Sequence, residues 1–205
     1  MGDEKATTRN RLGVRDVVST VILSLVIIVL QLAVNGVCML NHFVSMVFTI
    51  GIICLVCAPV YVLMALRVAK RFVTLIYLTM TGLMYLIMGD WFLLPYLVVI
   101  GVLCECILWK EGSYQNYRKI AASWILQGVL YTGVNLLPLW FFWEDFEKTA
   151  LASGMSQDYV DSYAGYYSQP LWIGAILLIN LLCALAGCLA ARGLMRKHFS
   201  RAGAL

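Results

Sequence analysis

Six long runs of apolar residues, separated by short polar connections, organise the chain. Each run has about the 17 to 25 residues that cross the hydrocarbon core of a bilayer as an α-helix. In that core a helix satisfies its backbone hydrogen bonds internally. The sequence therefore predicts an all-α integral membrane protein, with one transmembrane domain over residues 1–205. The predicted spans are 17–34, 43–66, 72–88, 91–109, 120–142 and 171–194.

The basic residues between these runs are distributed asymmetrically. Fourteen of the fifteen Lys and Arg residues fall on one side of the predicted bundle, and only Lys148 falls on the other. Lys and Arg are retained on the cytoplasmic side when short loops are inserted, so we expect both termini to be cytoplasmic. The net charge of +4 follows from these inner connections and gives no reason to expect a nucleic acid as partner.

The composition excludes a soluble catalytic domain. Hydrophobic residues make up 62% of the chain and charged residues 13%, with a mean hydropathy of +0.85, whereas soluble domains carry about 25% charged residues. The spans leave no room for a nucleotide-binding domain, and the chain has no Gly-rich phosphate loop. Any uphill transport would therefore take its energy from ions or from a partner chain.

His42 is the most specific candidate for a ligand contact, because it lies at the predicted outer turn between the first two spans. Cys38, Met39 and Met46 lie within four residues of it, and such side chains are soft donors for iron or copper. A haem or related metal chelate would find an axial ligand in His42. The alternative is an interfacial histidine in water, since one histidine makes no closed metal site in the protein itself.

Polar and aromatic side chains near the predicted outer ends of the spans indicate a site for a small, partly apolar compound. Polar side chains at membrane depth are costly and usually face the bundle interior, and aromatic walls with a few polar groups are typical of ligand sites. The alternative for each Asn or Gln in a span is an interhelical hydrogen bond worth about 0.6 to 2 kcal/mol. The candidate substrate contacts, besides His42 and Met39, are Asn35, Asp90, Trp91, Tyr131, Asn135, Trp140, Trp143, Tyr163, Tyr167, Trp172 and Asn180.

The longest connection, residues 144–169, is predicted to lie outside and to contain a short amphipathic helix. Ser156 can cap its start, and tyrosines then recur on one face while Asp158 and Asp161 lie on the other. A structured loop of this length is often functional, which makes it a candidate lid. The alternative is a helix resting at the headgroup level, where tyrosine is favoured. The tyrosines of this face are Tyr159, Tyr163, Tyr166 and Tyr167.

Cys54, Cys57 and Glu105 bear on a second class of function, a small membrane enzyme such as a thiol/quinone oxidoreductase. The two cysteines lie mid-span without a charged neighbour, and a buried thiol in apolar surroundings is inert. Glu105 lies five residues from Lys110 at the predicted inner edge, which predicts that its carboxylate snorkels to the interface. We therefore expect that the chain is not an enzyme.

Four segments of the chain carry a resemblance to a known family. They are a small-residue helix followed by Lys-His-Phe-Ser-Arg-Ala-Gly at 197–203, a Gly-Asp-Trp turn at 89–91, the span ending and inner turn at 105–117, and the outer loop with Gly154 and Tyr159. With these features the chain resembles the bacterial integral membrane proteins named for Treponema and Streptococcus. The resemblance covers nearly the whole length, and the C-terminal tail is its most specific part.

That family is classed with the substrate-binding S components of energy-coupling factor (ECF) transporters. The resemblance implies a six-helix S-component bundle in the bacterial cytoplasmic membrane. Such a protein captures a scarce compound at its outer face and delivers it with a membrane T component and two ATP-binding subunits, and it needs no intrinsic cofactor. The class docks through small residues four apart in the first span, for which Thr20 and Ser24 are the nearest match. We expect haem or another porphyrin-like or iron-bearing substrate first, and a vitamin-like compound second.

Overall fold

The computed structural model describes the backbone of residues 12–199 and the side chains of residues 12–197, and this part of the chain is helical with short connections. The basic residues Lys5, Arg9, Arg11 and Arg201, and the side chain of His198, lie outside this range. A short 3-10 helix spans Ser113–Gln115. The helices are α1 (Val14–Cys38), α2 (His42–Val47), α3 (Thr49–Val68), α4 (Val73–Met88), α5 (Leu93–Leu108), α6 (Tyr117–Leu130), α7 (Gly133–Phe141), α8 (Trp143–Ala152), α9 (Gln157–Ser168) and α10 (Pro170–Phe199).

Four helical segments of the described chain are long and apolar enough to cross a membrane. They are α1, α3, the segment Tyr117–Phe141 formed by α6 and α7, and α10. The other two predicted spans correspond to α4 and α5, apolar helices of 16 residues each. At 1.5 Å per residue such a helix is about 24 Å long, short of the roughly 20 residues that a typical bilayer requires. The helical membrane fold is therefore shown, while the count of six spans stays a prediction.

The predicted second span, 43–66, is divided in the structure. α2 begins after Asn41, whose side-chain oxygen accepts a hydrogen bond from the backbone N–H of Val44 at 3.1 Å. It ends before Phe48, and α3 then starts at Thr49. The break falls at one residue, Phe48, which is itself apolar, so the apolar run alone did not reveal this division.

α3 lies at the centre of the bundle and packs against α1, α10, α6 and α4. Its contact with α10 is close because of Gly187, where an added Cβ would lie 2.7 Å from the carbonyl oxygen of Cys54. At Gly128 of α6 an added Cβ would lie 2.8 Å from the sulfur of the same cysteine. Small residues let helix backbones approach each other. Gly187 of the small-residue helix therefore serves packing within the chain.

A second apolar cluster lies at the end of the bundle that carries α2, α8 and α9. The helix predicted after Ser156 is present as α9, and the Ser156 side chain accepts a hydrogen bond from the backbone N–H of Tyr159 at 3.3 Å. α8 precedes it in the same connection and had no counterpart in the sequence prediction. α9 is thus packed down onto the bundle. The buried members of the cluster are Met46, Val47, Tyr163, Tyr167 and Ile176.

Glu105 lies in the opposite half of the bundle, and the prediction that it snorkels is wrong. Its side chain is 3% exposed. One carboxylate oxygen accepts hydrogen bonds from the backbone N–H groups of Thr74 at 3.1 Å and Leu75 at 3.4 Å, and from the hydroxyl of Tyr114. The first N–H groups of a helix have no partner within the helix, and negative charge is favourable there. Glu105 therefore caps the start of α4 from its position on α5.

Candidate functional site

A cavity of about 350 Å³ lies at the end of the bundle that α9 covers. Its walls come from α1, α2, α3, α4, α5, α7, α8 and α9, and from the α4–α5, α6–α7 and α8–α9 connections. Small-molecule sites typically have volumes of about 300–1,000 Å³ and mostly apolar walls. The cavity therefore has the size and the mostly apolar lining of a site for a small compound.

Sequence reasoning selected part of this lining. The predicted residues that line the cavity come from four separate parts of the chain: the end of α1, the α4–α5 turn, the α6–α7 region and α9. They are Asn35, Met39, Asp90, Tyr131, Asn135, Tyr163 and Tyr167. Their convergence places the predicted polar and aromatic contacts in one space, although ligand binding by them stays a prediction.

Methionines form much of the apolar wall, and most of them were missed. Met84, Met88 and Met155 come from α4 and from the α8–α9 connection, so no sequence pattern joins them to the methionines near α2. Methionine is flexible and polarizable, fills irregular spaces and makes favourable contacts with aromatic rings. Such a wall adapts to the shape of a bound compound. The lining methionines are Met39, Met46, Met84, Met88 and Met155, five of the nine in the chain.

Four hydrogen bonds fasten α9 to the bundle at the cavity, one of them between the hydroxyls of Tyr159 and Ser45, which lie 3.2 Å apart. The Tyr167 hydroxyl donates to the backbone carbonyl of Met46 at 2.7 Å and accepts from the side-chain amide of Asn135 at 2.6 Å. The Tyr163 hydroxyl donates to the backbone carbonyl of Asn135. Burial raises the pKa of Tyr163 and of Tyr167, so both side chains remain protonated donors. α9 is thus a cover with defined attachments.

Asp90 is the one charged side chain among the described residues that line the cavity. It follows Gly89, whose left-handed backbone (φ 107°) ends α4, a conformation that glycine adopts without steric cost. Its backbone N–H donates to the carbonyl of Tyr85 at 3.0 Å. Burial raises the pKa of the Asp90 carboxyl above its ordinary value of 3.8. The turn therefore holds a partly desolvated acid at the cavity wall.

Polar residues in the predicted fifth span, 120–142, have two different roles. Tyr131 lines the cavity, and its hydroxyl lies 3.2 Å from that of Tyr85. One turn earlier, the amide nitrogen of Gln127 donates to the hydroxyl of Tyr77 at 3.3 Å, and the amide nitrogen of Gln31 donates to the same hydroxyl at 2.9 Å. Gln31 and Gln127 thus join α1, α4 and α6 by hydrogen bonds, which is the alternative weighed for such residues.

His42 does not line the cavity. It is the first residue of α2, it is exposed, and its ring packs edge-on against Tyr159 with 5.4 Å between ring centres. Met39, its neighbour in sequence, does line the cavity. Over residues 12–197 no group of three or more His, Cys, Asp or Glu side chains is placed to hold a metal ion. The suggested axial ligation of haem by His42 therefore gains no support from this geometry.

Five further candidates lie away from the cavity lining: Trp91, Trp140, Trp143, Trp172 and Asn180. Trp91 and Trp140 are 53% and 58% exposed, as is typical of aromatic residues at a membrane interface. Trp143 and Trp172 pack against the second apolar cluster. Asn180 is buried, and its side-chain amide donates to the Thr132 hydroxyl at 2.9 Å. It therefore makes the interhelical hydrogen bond that was its alternative role.

The predicted docking residues Thr20 and Ser24 are both fully buried within the chain. The Thr20 hydroxyl donates to the backbone carbonyl of Asp16 at 2.8 Å, and the Ser24 hydroxyl contacts the Met64 sulfur at 3.7 Å. The Ser24 contact joins α1 to α3, whereas the Thr20 hydrogen bond lies within α1. Neither side chain is accessible to a partner in this conformation, so docking through them stays a prediction without an exposed surface.

Cys54 and Cys57 are free thiols buried in α3, and neither lines the cavity. Among the described lining residues there is no Cys, His, Lys or Arg. The lining offers a bound compound apolar contacts with Met and Tyr, hydrogen bonds from Asn and Tyr, and one carboxylate. Those groups are suited to holding a molecule.

Comparison with known proteins gives a family. The model of a family described as "Hypothetical bacterial integral membrane protein (Trep_Strep)" matches residues 14–201. No curated protein and no solved structure matches the chain. The family match begins at the first residue of α1 and extends past the end of α10, so the chain belongs to the Trep_Strep family of bacterial integral membrane proteins.

Proposed function

We propose that this protein is the substrate-capturing S component of an ECF-type importer in the bacterial cytoplasmic membrane. It binds a small cofactor-like compound at its outer face and delivers it with a membrane T component and two ATP-binding subunits. Family membership supports a membrane role for the whole chain. The observation that carries the proposal is the ligand-sized cavity beneath α9.

In the proposed orientation the cavity faces outward and both termini are cytoplasmic. The connections at the end away from the cavity carry the basic residues, which favours a cytoplasmic position for them. α4 and α5 then complete six spans, and a bilayer accommodates such short helices by local thinning. The basic residues of the described part at that end are Arg15, Arg67, Lys70, Arg71, Lys110, Arg118, Lys119, Arg192, Arg196 and Lys197.

The lining favours the vitamin-like substrate over haem. A haem carries two carboxylates, which call for cationic partners, and no Lys or Arg lines the cavity among the described residues. The one charged side chain among the described lining residues, Asp90, would repel the carboxylates of haem. A compact compound with a partly apolar body fits the Met and Tyr walls without that penalty.

Mass spectrometry of the purified protein tests capture directly. Wild-type protein is expected to retain one small compound in roughly stoichiometric amount. Gly36 lies on the cavity side of α1, and an added Cβ there would meet nothing within 4 Å. Gly36→Phe should therefore fill the edge of the cavity without disturbing the fold, and it should lose the compound.

Gly174→Phe is the matched control, because Gly174 is also helical with open space around it but lies outside the lining. It should retain the compound at the wild-type level. Equal retention by Gly36→Phe and wild type, or no retained compound in either, would count against capture in this cavity.

A further inference from the structure

The only formal charge on the described cavity lining is negative. Asp90 is its one charged side chain among the described residues, and no Lys, Arg or His accompanies it. The Asp90 carboxylate makes no hydrogen bond or ion pair within the described part of the chain. A partly buried carboxylate without a partner is costly, and an opposite charge within about 4–6 Å offsets that cost. The wall therefore has a place for a cation that the protein itself does not fill.

The rings around this carboxylate favour the same charge. Five tyrosines and one phenylalanine line the cavity. The face of an aromatic ring attracts cations within about 6 Å, and cages of such rings recognise quaternary ammonium groups. Burial raises the pKa of Tyr159 and Tyr163, so these rings remain neutral phenols. The lining rings are Tyr85, Tyr131, Tyr159, Tyr163, Tyr167 and Phe146.

The apolar part of the lining limits the rest of the ligand. Met84 and Met88 lie one turn apart on α4, just before Asp90, and Met39 and Met46 lie on other elements around the same space. Thioether side chains adapt to an apolar body and contact aromatic rings favourably. An inorganic cation would leave this surface unused, whereas an organic cation would cover it.

We propose that the captured compound is a small organic cation, with a protonated amine or quaternary ammonium group at Asp90 and an apolar body among the methionines and tyrosines. This inference rests on the proposed capture function and names its substrate class. A phospholipid amine headgroup has the same charge, but we assign the cavity to a compound free in solution, because α9 is hydrogen-bonded across it.

Thermal unfolding in nanodiscs with three probes of similar size tests the charge. The probes are benzyltrimethylammonium as cation, N-benzylacetamide as neutral compound and 3-phenylpropionate as anion. The cation should raise the melting temperature of the wild-type protein most. Asp90→Asn should weaken the apparent affinity for the cation by about tenfold to a hundredfold, and it should leave the affinity for the neutral probe unchanged.

Asp145→Asn is the matched control, because Asp145 is an exposed acid of α8 outside the cavity, and it should behave as wild type. Equal or greater stabilisation by the anion, no stabilisation by the cation, or an unchanged cation preference in Asp90→Asn would overturn the inference. So would loss of the cation effect when phosphatidylethanolamine replaces phosphatidylglycerol in the disc, which would assign the site to lipid. An anionic or neutral compound retained by wild type but lost in Gly36→Phe would refute the charge and leave capture standing.

Discussion

Glu105→Ala removes the acceptor that caps α4, and the contacts determine how much of the cap is lost. In the wild-type chain one Glu105 carboxylate oxygen accepts from the N–H groups of Thr74 and Leu75 and from the Tyr114 hydroxyl. In the variant the Leu75 N–H has no described acceptor. The Thr74 N–H keeps the Tyr114 oxygen, which lies 3.3 Å away. The first turn of α4 is therefore partly, not wholly, uncapped.

The cost follows from these groups. Losing a capping acceptor costs about 1 kcal/mol, and losing a buried hydrogen bond to a charged group costs about 1.5–3 kcal/mol. The other carboxylate oxygen of Glu105 is buried without a hydrogen-bond partner, and removing it relieves part of a desolvation penalty. We therefore expect Glu105→Ala to lower the free energy of unfolding by about 2–3 kcal/mol.

Two further variants separate the acceptor from the charge and from general effects of mutation. Glu105→Gln keeps a carbonyl oxygen for the α4 N–H groups, so it should cost about 1 kcal/mol or less. Glu111→Ala removes an exposed acid at the same end of the bundle, and such surface changes stay within about 0.5 kcal/mol. Glu111→Ala should be the most stable of the three variants, Glu105→Gln should be intermediate, and Glu105→Ala should be the least stable.

Unfolding by sodium dodecyl sulfate, followed by tryptophan fluorescence, measures these differences. Hydrogen exchange at the Thr74 and Leu75 amides locates them, because it should be faster in Glu105→Ala and near wild type in Glu105→Gln. Equal destabilisation by the Gln and Ala variants would show that charge rather than the capping acceptor matters. Unchanged amide protection in Glu105→Ala would refute the capping contact itself.

Three further predictions concern packing, the cover and charge. Gly187→Ala should lower stability by about 1–3 kcal/mol, because its methyl group overlaps the α3 backbone, whereas Gly174→Ala has open space and should be neutral or slightly stabilising; equal melting temperatures would contradict the close approach. Tyr167→Phe should speed hydrogen exchange in α9, because it removes two hydrogen bonds. Tyr166→Phe should not, because the Tyr166 hydroxyl makes no hydrogen bond among the described residues. Equal exchange rates in the two variants would refute the attachment of α9 through Tyr167. Burial raises the pKa of Asp90 above 3.8, so the folded protein binds this proton more tightly than the unfolded chain does. The stability of the unliganded wild-type protein should therefore fall relative to Asp90→Asn as the pH rises from about 4 through the raised pKa. A difference in melting temperature that does not change with pH would contradict this.

The helices and the N-cap of α9 could be predicted from the sequence, because their signals are local. Apolar runs located the helices, and Ser156 located the start of α9 because a cap acts within three residues. The tyrosine face of α9 was readable for the same reason, since side chains three and four apart share a helix face. Tyr163 and Tyr167 accordingly point into the bundle.

Contacts between distant parts of the chain were not readable. Lys110 is close to Glu105 in sequence, but the groups that Glu105 binds belong to α4, about thirty residues earlier. His42 and Met39 are adjacent in sequence, yet α2 begins at His42 and leaves its ring outside the cavity that Met39 lines. Met155 reaches the cavity because the α8–α9 connection folds back over it. Such placements depend on tertiary packing, which local periodicity does not encode.

Uptake into proteoliposomes tests the capture proposal most directly. Vesicles that contain this protein alone should bind the compound that co-purifies with it but should not concentrate it. Addition of the T component, the ATP-binding subunits and ATP should give accumulation, and Gly36→Phe should abolish it while Gly174→Phe does not. Accumulation against a gradient by the protein alone would contradict its role as a passive capture subunit.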